Sequence, residues 1–425
     1  MRDLLRKTLI LLALLSLVGC SGAPAGPAAD SARSDKERAV AVTEVGPDVL
    51  ELTRENGALA LDIYHVLRRE GGNLFYSPHS ISLALAMTYA GAHGETARQM
   101  AEALHYTLPP ERLHPAFNSL DQILALRGEG AQGKDGEGFR LNVANALWGQ
   151  ADYSFLDSFL DALAENYGAG MRLVDFVQDA EAARGAINGW VSEETEGRIE
   201  ELLGPGAVNA DTRLVLTNAI YFNAAWAYPF QENATEDGSF HGLTGEATVP
   251  MMRQTERLNY AKGPGYQVVE LPYDGYELAM TIVLPEEGGF EAFEESLDAG
   301  RVEEVLQSLE RRQVALTLPR FELETELSLV EALTALGMTD AFGAGADFSG
   351  MTGERDLFIG EVVHKAFVSV DEAGTEAAAA TGVVMLAGAA ADEPVQVVVD
   401  RPFITLIRDL ETGAVLFVGR IIDLG

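Results

Sequence analysis

The segment Asp371 to Pro394 reads DEAGTEAAAATGVVMLAGAAADEP and carries no charge from Ala377 to Ala391. A membrane span needs roughly 20 predominantly apolar residues, and this run is shorter and mostly Ala and Gly. EAAAAT is strong helix-forming sequence, yet Gly382 and the β-branched Val383 and Val384 follow at once. Local preference therefore divides among helix, strand and loop. Thr375, Ala377, Ala379 and Thr381 are small and occupy alternate positions. In a strand they would share one face, small enough to slide into a crowded sheet.

The rest of the chain is globular in composition, with 47% hydrophobic and 22% charged residues, and it is long enough to bury a sizeable core. Its formal charge of −35 is unusual. Such a surface repels nucleic acid and anionic membrane, which excludes both as direct partners, and its simplest role is solubility. At the N-terminus MRDLLRK gives a basic start, TLILLALLSLV an apolar run too short to stay as a span, and LVGC ends at Cys20. The arrangement resembles a bacterial lipoprotein signal. That resemblance implies removal of residues 1–19, a lipid on the Cys20 thiol, and export with anchoring at the cell envelope, on a periplasmic or surface face. Ser21 in place of an acid implies the outer membrane where a cell has two. Cys20 is the only cysteine, so one molecule forms no disulfide. Residues 20–47, rich in Ala, Gly, Pro and Ser without apolar period, predict a flexible tether, with the folded domain spanning 48–425.

Helical period appears in Glu55 to Glu70, in the nearly all-apolar SPHSISLALAMTYAGA, in Gly94 to Leu104 and in Asp157 to Tyr167. A longer amphipathic helix is predicted over AEAARGAINGWVSEETEGRIEELL, with Ile187, Trp190, Val191 and Ile199 on one side. TRLVLTNAIYFNAAW and YQVVELPYDGYELAMTIVLPEE read as strands, the second folded at Asp274-Gly275. Toward the C-terminus VALTLPRFELET, LFIGEVVHKAFVSVDE, RPFITLIRD and VLFVGRIID add strands around a helix stopped at Gly337. Helices mostly early and strands mostly late give one large α+β domain.

Catalytic signatures are missing: there is no G-x-S-x-G elbow, phosphate loop or H-E-x-x-H pair. The seven histidines show no ligand spacing, so neither metal nor cofactor is expected. With 65 acidic residues, some pair always looks catalytic, so no acidic pair is diagnostic. The pattern favours a binding or inhibitory protein over an enzyme.

Several ordered segments share one resemblance. NLFYSPHSISLALAMTYAGAHGET, INGWVSEETEGRIEELL, TNAIYFNAAWAYPF, LPRFELETELSLVEALTALGMTDAF, VVHKAFVSVDEAGTEAAAAT and RPFITLIRDLETGAVLFVGRI together resemble the serpins, the suicide-type protease inhibitors. The likeness spans Asp48 to Gly425. It implies the serpin fold: a main mixed sheet, further antiparallel sheets, about eight or nine helices, and an exposed reactive loop that inserts into the main sheet once cleaved. It also implies a monomer whose partner is a serine protease held as a covalent acyl-enzyme.

By the same resemblance Glu372, Ala373, Gly374 and Thr375 form the hinge, with Glu372 closing the strand that ends SVD. Glu376 faces solvent, and Ala377, Ala378, Ala379, Ala380 and Thr381 enter the sheet. Gly374 suits a pivot because glycine reaches backbone angles closed to other residues. Ser77, Ser80, Asn218 and His364 match a hydrogen-bonding cluster beneath the sheet, which makes His364 a buried structural histidine rather than a base. Trp226 matches the tryptophan where the loop first inserts. Counting forward from Glu372 by the family's usual hinge length places the cleaved bond between Gly388 and Ala389. Counting back from Arg401 favours Ala391, because this loop is longer than usual. Ala387 and Ala390 lie within the slack, and Met385 and Leu386 remain sites of plain cleavage. No Arg or Lys lies between Glu376 and Arg401, which disfavours a trypsin-like target and favours an elastase-like or subtilisin-like one. The small hinge implies an inhibitor; a non-inhibitory relative acting as a binding or structural protein is the alternative.

Overall fold

The computed structural model describes residues 30–41, 44–129, 131, 140–375 and 393–425. Cys20, the segment Glu376 to Thr381, and the bond candidates from Met385 to Ala391 lie outside the described residues.

In chain order the elements are β1 (Asp30–Ala32), α1 (Pro47–Leu67), β2 (Leu74–Tyr76), α2 (Pro78–Tyr89), α3 (Gly94–Ala103), α4 (Pro110–Ala125), β3 (Arg140–Gln150), α5 (Asp157–Tyr167), β4 (Met171–Val174) and α6 (Phe176–Glu194). They continue with β5 (Leu214–Ala225), β6 (Glu236–His241), β7 (Glu246–Gly263), β8 (Tyr266–Pro272), β9 (Leu278–Pro285), α7 (Phe290–Glu295), α8 (Ala299–Gln307), β10 (Glu310–Pro319) and β11 (Phe321–Ser328). Then come α9 (Val330–Ala335), α10 (Ser349–Thr352), β12 (Glu361–Val370), β13 (Gly374–Thr375), β14 (Val395–Val398), β15 (Phe403–Asp409) and β16 (Val415–Ile421). The α+β class holds, with 10 α-helices among the described residues, α7, α9 and α10 being one or two turns each.

A seven-stranded mixed sheet runs β1-β4-β3-β5-β13-β12-β11, with β3–β4 and β5–β12 parallel. A nine-stranded sheet runs β14-β10-β7-β8-β9-β15-β16-β2, with β6 on β7. The 18-residue β7 pairs with β6, β10 and β8 along its length, so the expected further sheets are one continuous sheet. Its one parallel pair is β10–β14. One face of the seven-stranded sheet packs on α2 and the second sheet. The other face lies under α6, where Phe176, Ile187, Val191, Val215 and Ala219 form a separate buried cluster.

Helix α2 follows its sequence closely. Pro78 starts it, the Ser77 hydroxyl accepts from the Ser80 N–H, and Pro78 to Thr88 are all buried. Helix α1 begins at Pro47, a turn or more before the period becomes visible. Helix α6 ends at Glu194 instead of running to Leu203. Glu196 (φ 54°) and Gly197 (φ 76°) are left-handed, and the Gly197 N–H returns to the Ser192 carbonyl at 2.7 Å. Ile199 still joins the α6 cluster, because the Asn188 amide binds the Leu202 and Leu203 backbone and folds the segment back.

The tether prediction fails for residues 30–41. Strand β1 pairs antiparallel with β4 at the sheet edge. Lys36 bridges Asp161 and Glu165 of α5, and the Arg38 guanidinium reaches Asp121 of α4 at 2.6 Å. In a chain this acidic, Lys36 and Arg38 of a polar segment find carboxylates on the body, which composition alone does not reveal.

Candidate functional site

Strand β12 ends at Val370, and the chain turns back on itself over Asp371 to Gly374. The Asp371 carboxylate accepts from the Ala373 and Gly374 N–H groups, and the Asp371 N–H donates to the Gly374 carbonyl at 2.9 Å. This turn, not the strand, holds Glu372. The next two residues, β13, run antiparallel to both neighbours: Thr375 opposite Val370 on β12, and Gly374 and Thr375 opposite Ala225 and Ala224 on β5. Below them β5 and β12 pair directly and in parallel, from Val215 with Glu361 to Tyr221 with Phe367. The hinge is thus a short strand wedged into the open upper end of a seam.

Each hinge residue is fixed. Glu372 is buried, and its carboxylate accepts from the Thr235 hydroxyl at 2.6 Å and from Arg320 through both oxygens at 2.5 and 2.6 Å. Burial pushes that carboxyl up, and the Thr235 and Arg320 hydrogen bonds outweigh it and hold it below its ordinary value. The Phe230 N–H donates to the Glu372 carbonyl at 2.7 Å and the Trp226 N–H to the Ala373 carbonyl at 2.9 Å. The Trp226 indole N–H donates to the Asp371 carbonyl at 3.0 Å, and its ring stacks on Tyr273 with centroids 4.7 Å apart. Tyr273 in turn shares a 2.8 Å hydrogen bond with the buried Thr375 hydroxyl.

Gly374 serves differently from the expectation. Its backbone is not left-handed; instead a Cβ there would lie 2.2 Å from the Ala224 carbonyl oxygen and 2.7 Å from the Ala225 Cα. Glycine is needed because two strands crowd it.

Lower in the seam lies the second group. The His364 Nε2 accepts from the Ser77 N–H at 3.1 Å, so Nδ1 carries the proton and donates to the Asn218 side-chain oxygen. The Asn218 amide donates to Ser80 Oγ at 2.7 Å and to Asn145 Oδ1 at 2.6 Å. Asn145 of β3 closes the network onto Ser80. His364 is fully buried, and burial lowers its pKa to about 3. Asn218 and His364 are direct partners in the β5–β12 register, so their hydrogen bond spans the seam itself.

The structure therefore brings Glu372, Ala373, Gly374, Thr375 and Trp226 together at the top, and Ser77, Ser80, Asn218 and His364 in the middle. The sequence reading missed Asn145, Thr235, Tyr273 and Arg320. An asparagine in the apolar run NVANALW was the one available signal. Among the described residues no His, Cys, Asp and Glu cluster could hold a metal ion, and no helix is long and apolar enough to cross a membrane.

The β5–β12 seam is thus parted at its top by its own downstream chain and bridged lower down by a polar network. The family model for serpins, described as serine protease inhibitors, matches residues 54–424. The leukocyte elastase inhibitor of Bos taurus is 41% identical over 383 residues, covering 87% of this chain and 99% of that protein. The thermophilic serpin tengpin in its native state superposes with a TM-score of 0.82 at 27% identity, covering 93% of this chain and 100% of tengpin. Human thyroxine-binding globulin, in complex with its hormone, gives 0.78 at 29% identity, covering 89% of this chain and 99% of the globulin. The chain belongs to the serpin family.

Proposed function

We propose that this serpin traps elastase-like or subtilisin-like serine proteases by loop cleavage and insertion. The observation that carries the reading is β13, already antiparallel between β5 and β12. Continuing that register after cleavage makes the following residues a full central strand, with the Thr375 face turned toward the Tyr273 side. Small residues at Ala377, Ala379 and Thr381 suit that face. Insertion must part the pairs from Glu361 with Val215 to Phe367 with Tyr221, and the His364–Asn218 bond with them. A protease still ester-linked to the loop is carried along before water can release it. Purified protein mixed with an elastase should give a covalent complex that survives denaturation and heat. Clean cleavage near Gly388 with full protease activity retained would refute the proposal.

The proposal includes a lipid anchor on Cys20 that holds the inhibitor at the cell envelope. A Cys20→Ser variant should move from the membrane fraction to the soluble one; an unchanged distribution refutes the anchor.

A second reading, a binding protein without inhibitory action, is favoured by a cleft of about 540 Å³ between α1, α8 and the β15–β16 strands, lined by Leu61, Arg54, Val302, Leu306 and Arg408. A cut loop that leaves the thermal midpoint unchanged would support it over the inhibitor.

A further inference from the structure

Insertion needs room under α6. Val215 and Ala219 of β5 and Ile187 and Val191 of α6 are fully buried against one another, so no space for a new strand's side chains exists there. The helix must lift before the lower half of the seam can fill. What holds it down is unevenly placed. Across the seam, β12 contributes Val363 to the cluster, and Lys365 donates to the Glu201 carbonyl at 2.9 Å in the segment after α6. On the other side the attachment is aromatic and cationic.

Arg172 of β4 stands directly opposite Trp148 of β3 in the strand register. Its guanidinium carbon lies 4.3 Å from the Trp190 ring centroid on α6 and 5.5 Å from that of Trp148. The two indoles meet edge to face at 5.6 Å and 70°. Trp148 is itself pinned, its indole N–H donating to Thr217 Oγ1 of β5 at 2.9 Å. Among the described residues no carboxylate forms an ion pair with Arg172. Burial lowers the Arg172 pKa; Glu194 and Glu193 at the end of α6 offset this in part, and Arg33 of the N-terminal segment adds to it. The Trp190 indole N–H is buried without a hydrogen-bond partner. Trp190 is thus held by ring contacts, with Arg172 against its face.

We infer that Arg172 is a positioning residue for loop insertion: its stack on Trp190 and Trp148 sets the threshold at which α6 lifts from the sheet. The inference rests on the insertion mechanism proposed above. A half-buried cation–π contact is strong enough that its loss should speed insertion roughly 5- to 30-fold. A lysine keeps the charge but loses the planar face that stacks on the indoles, so it should retain only part of the hold.

The test nicks the loop of the wild type, Arg172→Gln and Arg172→Lys with a catalytic amount of thermolysin, a metalloprotease that forms no acyl-enzyme and so is not trapped. Insertion is followed as the rise in thermal midpoint and the change in tryptophan emission with time. The thermal midpoint of the uncut proteins is measured alongside. Arg172→Gln should insert faster by that factor, with Arg172→Lys between it and wild type. Equal insertion rates in wild type and Arg172→Gln overturn the role of Arg172. So does Arg172→Lys inserting faster than Arg172→Gln, because a retained cation would then add nothing to the hold. No insertion in any of the three overturns the mechanism and the inference with it. Should Arg172→Gln fail to fold, Trp190→Phe removes the better ring and is judged by the same rates.

Discussion

Replacing His364 by Gln isolates the proton sensitivity of the seam. In the folded chain burial holds the ring neutral, with its pKa near 3, and the neutral ring accepts from Ser77 at Nε2 and donates to Asn218 from Nδ1. An unfolded histidine titrates at about 6.5. Between those values the unfolded chain binds the extra proton, so stability is complete above pH 6.5 and falls as the pH drops toward 3. A shift from about 6.5 to about 3 corresponds to about 5 kcal/mol in total, of which about 2 kcal/mol is lost by pH 5. A glutamine can accept from Ser77 and donate to Asn218 without titrating. The measurement is urea unfolding of both proteins at pH 8 and pH 5, compared as a double difference so that the many carboxylates and His114, whose pKa burial lowers to about 4, cancel. Wild type should lose about 2 kcal/mol more than His364→Gln over that interval. Equal losses would mean that His364 does not titrate in the unfolding equilibrium, and the seam argument would lose its proton-sensitive element.

Four further outcomes are expected. Arg320→Ala leaves the buried Glu372 carboxylate with Thr235 alone and should destabilise the uncut protein by about 1–3 kcal/mol, read by urea unfolding. Gly374→Ala forces a Cβ against the Ala224 carbonyl; β13 should leave the gap, seen as amide exchange at Thr375 rising to that of an open loop. Ala379→Glu would carry an unpaired carboxylate into the sheet at a cost of several kcal/mol, so the moles of inhibitor consumed per protease trapped should rise about tenfold or more, as counted by active-site titration. Glu294→Ala strips the buried partner from Arg420 and Tyr64 and should cost about 3–5 kcal/mol in the same urea assay, without changing which loop bond is cut.

The strands that carry the hinge were legible because their apolar content is β-branched and continuous: TRLVLTNAIYF became β5 and EVVHKAFVSV became β12. Asp274-Gly275 turned as predicted, Gly275 being left-handed at φ 95°. Helix α4 was hidden by Pro115, a breaker inside the helix whose missing N–H the surrounding packing tolerates. Strand β3 was hidden by its asparagines, which interrupt alternation; Asn145 pairs with Asn218 and Ser80 beneath the sheet, so polarity there marks an inward network, not a surface. At the hinge, chemistry was legible and cause was not. Small residues at Ala373 to Thr375 are visible in sequence, whereas the partners Arg320, Thr235 and Tyr273 come from distant segments whose approach depends on tertiary packing. The same holds for Arg172, an unremarkable basic residue until the parallel β3–β4 register sets it beside Trp148.

In the proposed mechanism the uncut state is held kinetically by its seam. The β5–β12 pairing is one parallel ladder, and a parallel ladder is slightly less stable per residue than an antiparallel one. An inserted strand would replace it with two antiparallel ladders, as β13 already shows over Gly374 and Thr375. Backbone hydrogen bonding therefore favours insertion, and the final sheet has more of it. What resists is everything that must break before the new ladders form: the parallel pairs, the His364–Asn218 bond, the packing under α6 and the Glu372–Arg320 clasp at the top. Each belongs to the barrier more than to the end state, because β5 and β12 regain partners once the strand is in place. Substitutions that loosen the seam should accordingly accelerate insertion far more than they destabilise the inserted form. Substitutions in the strand that enters should do the reverse.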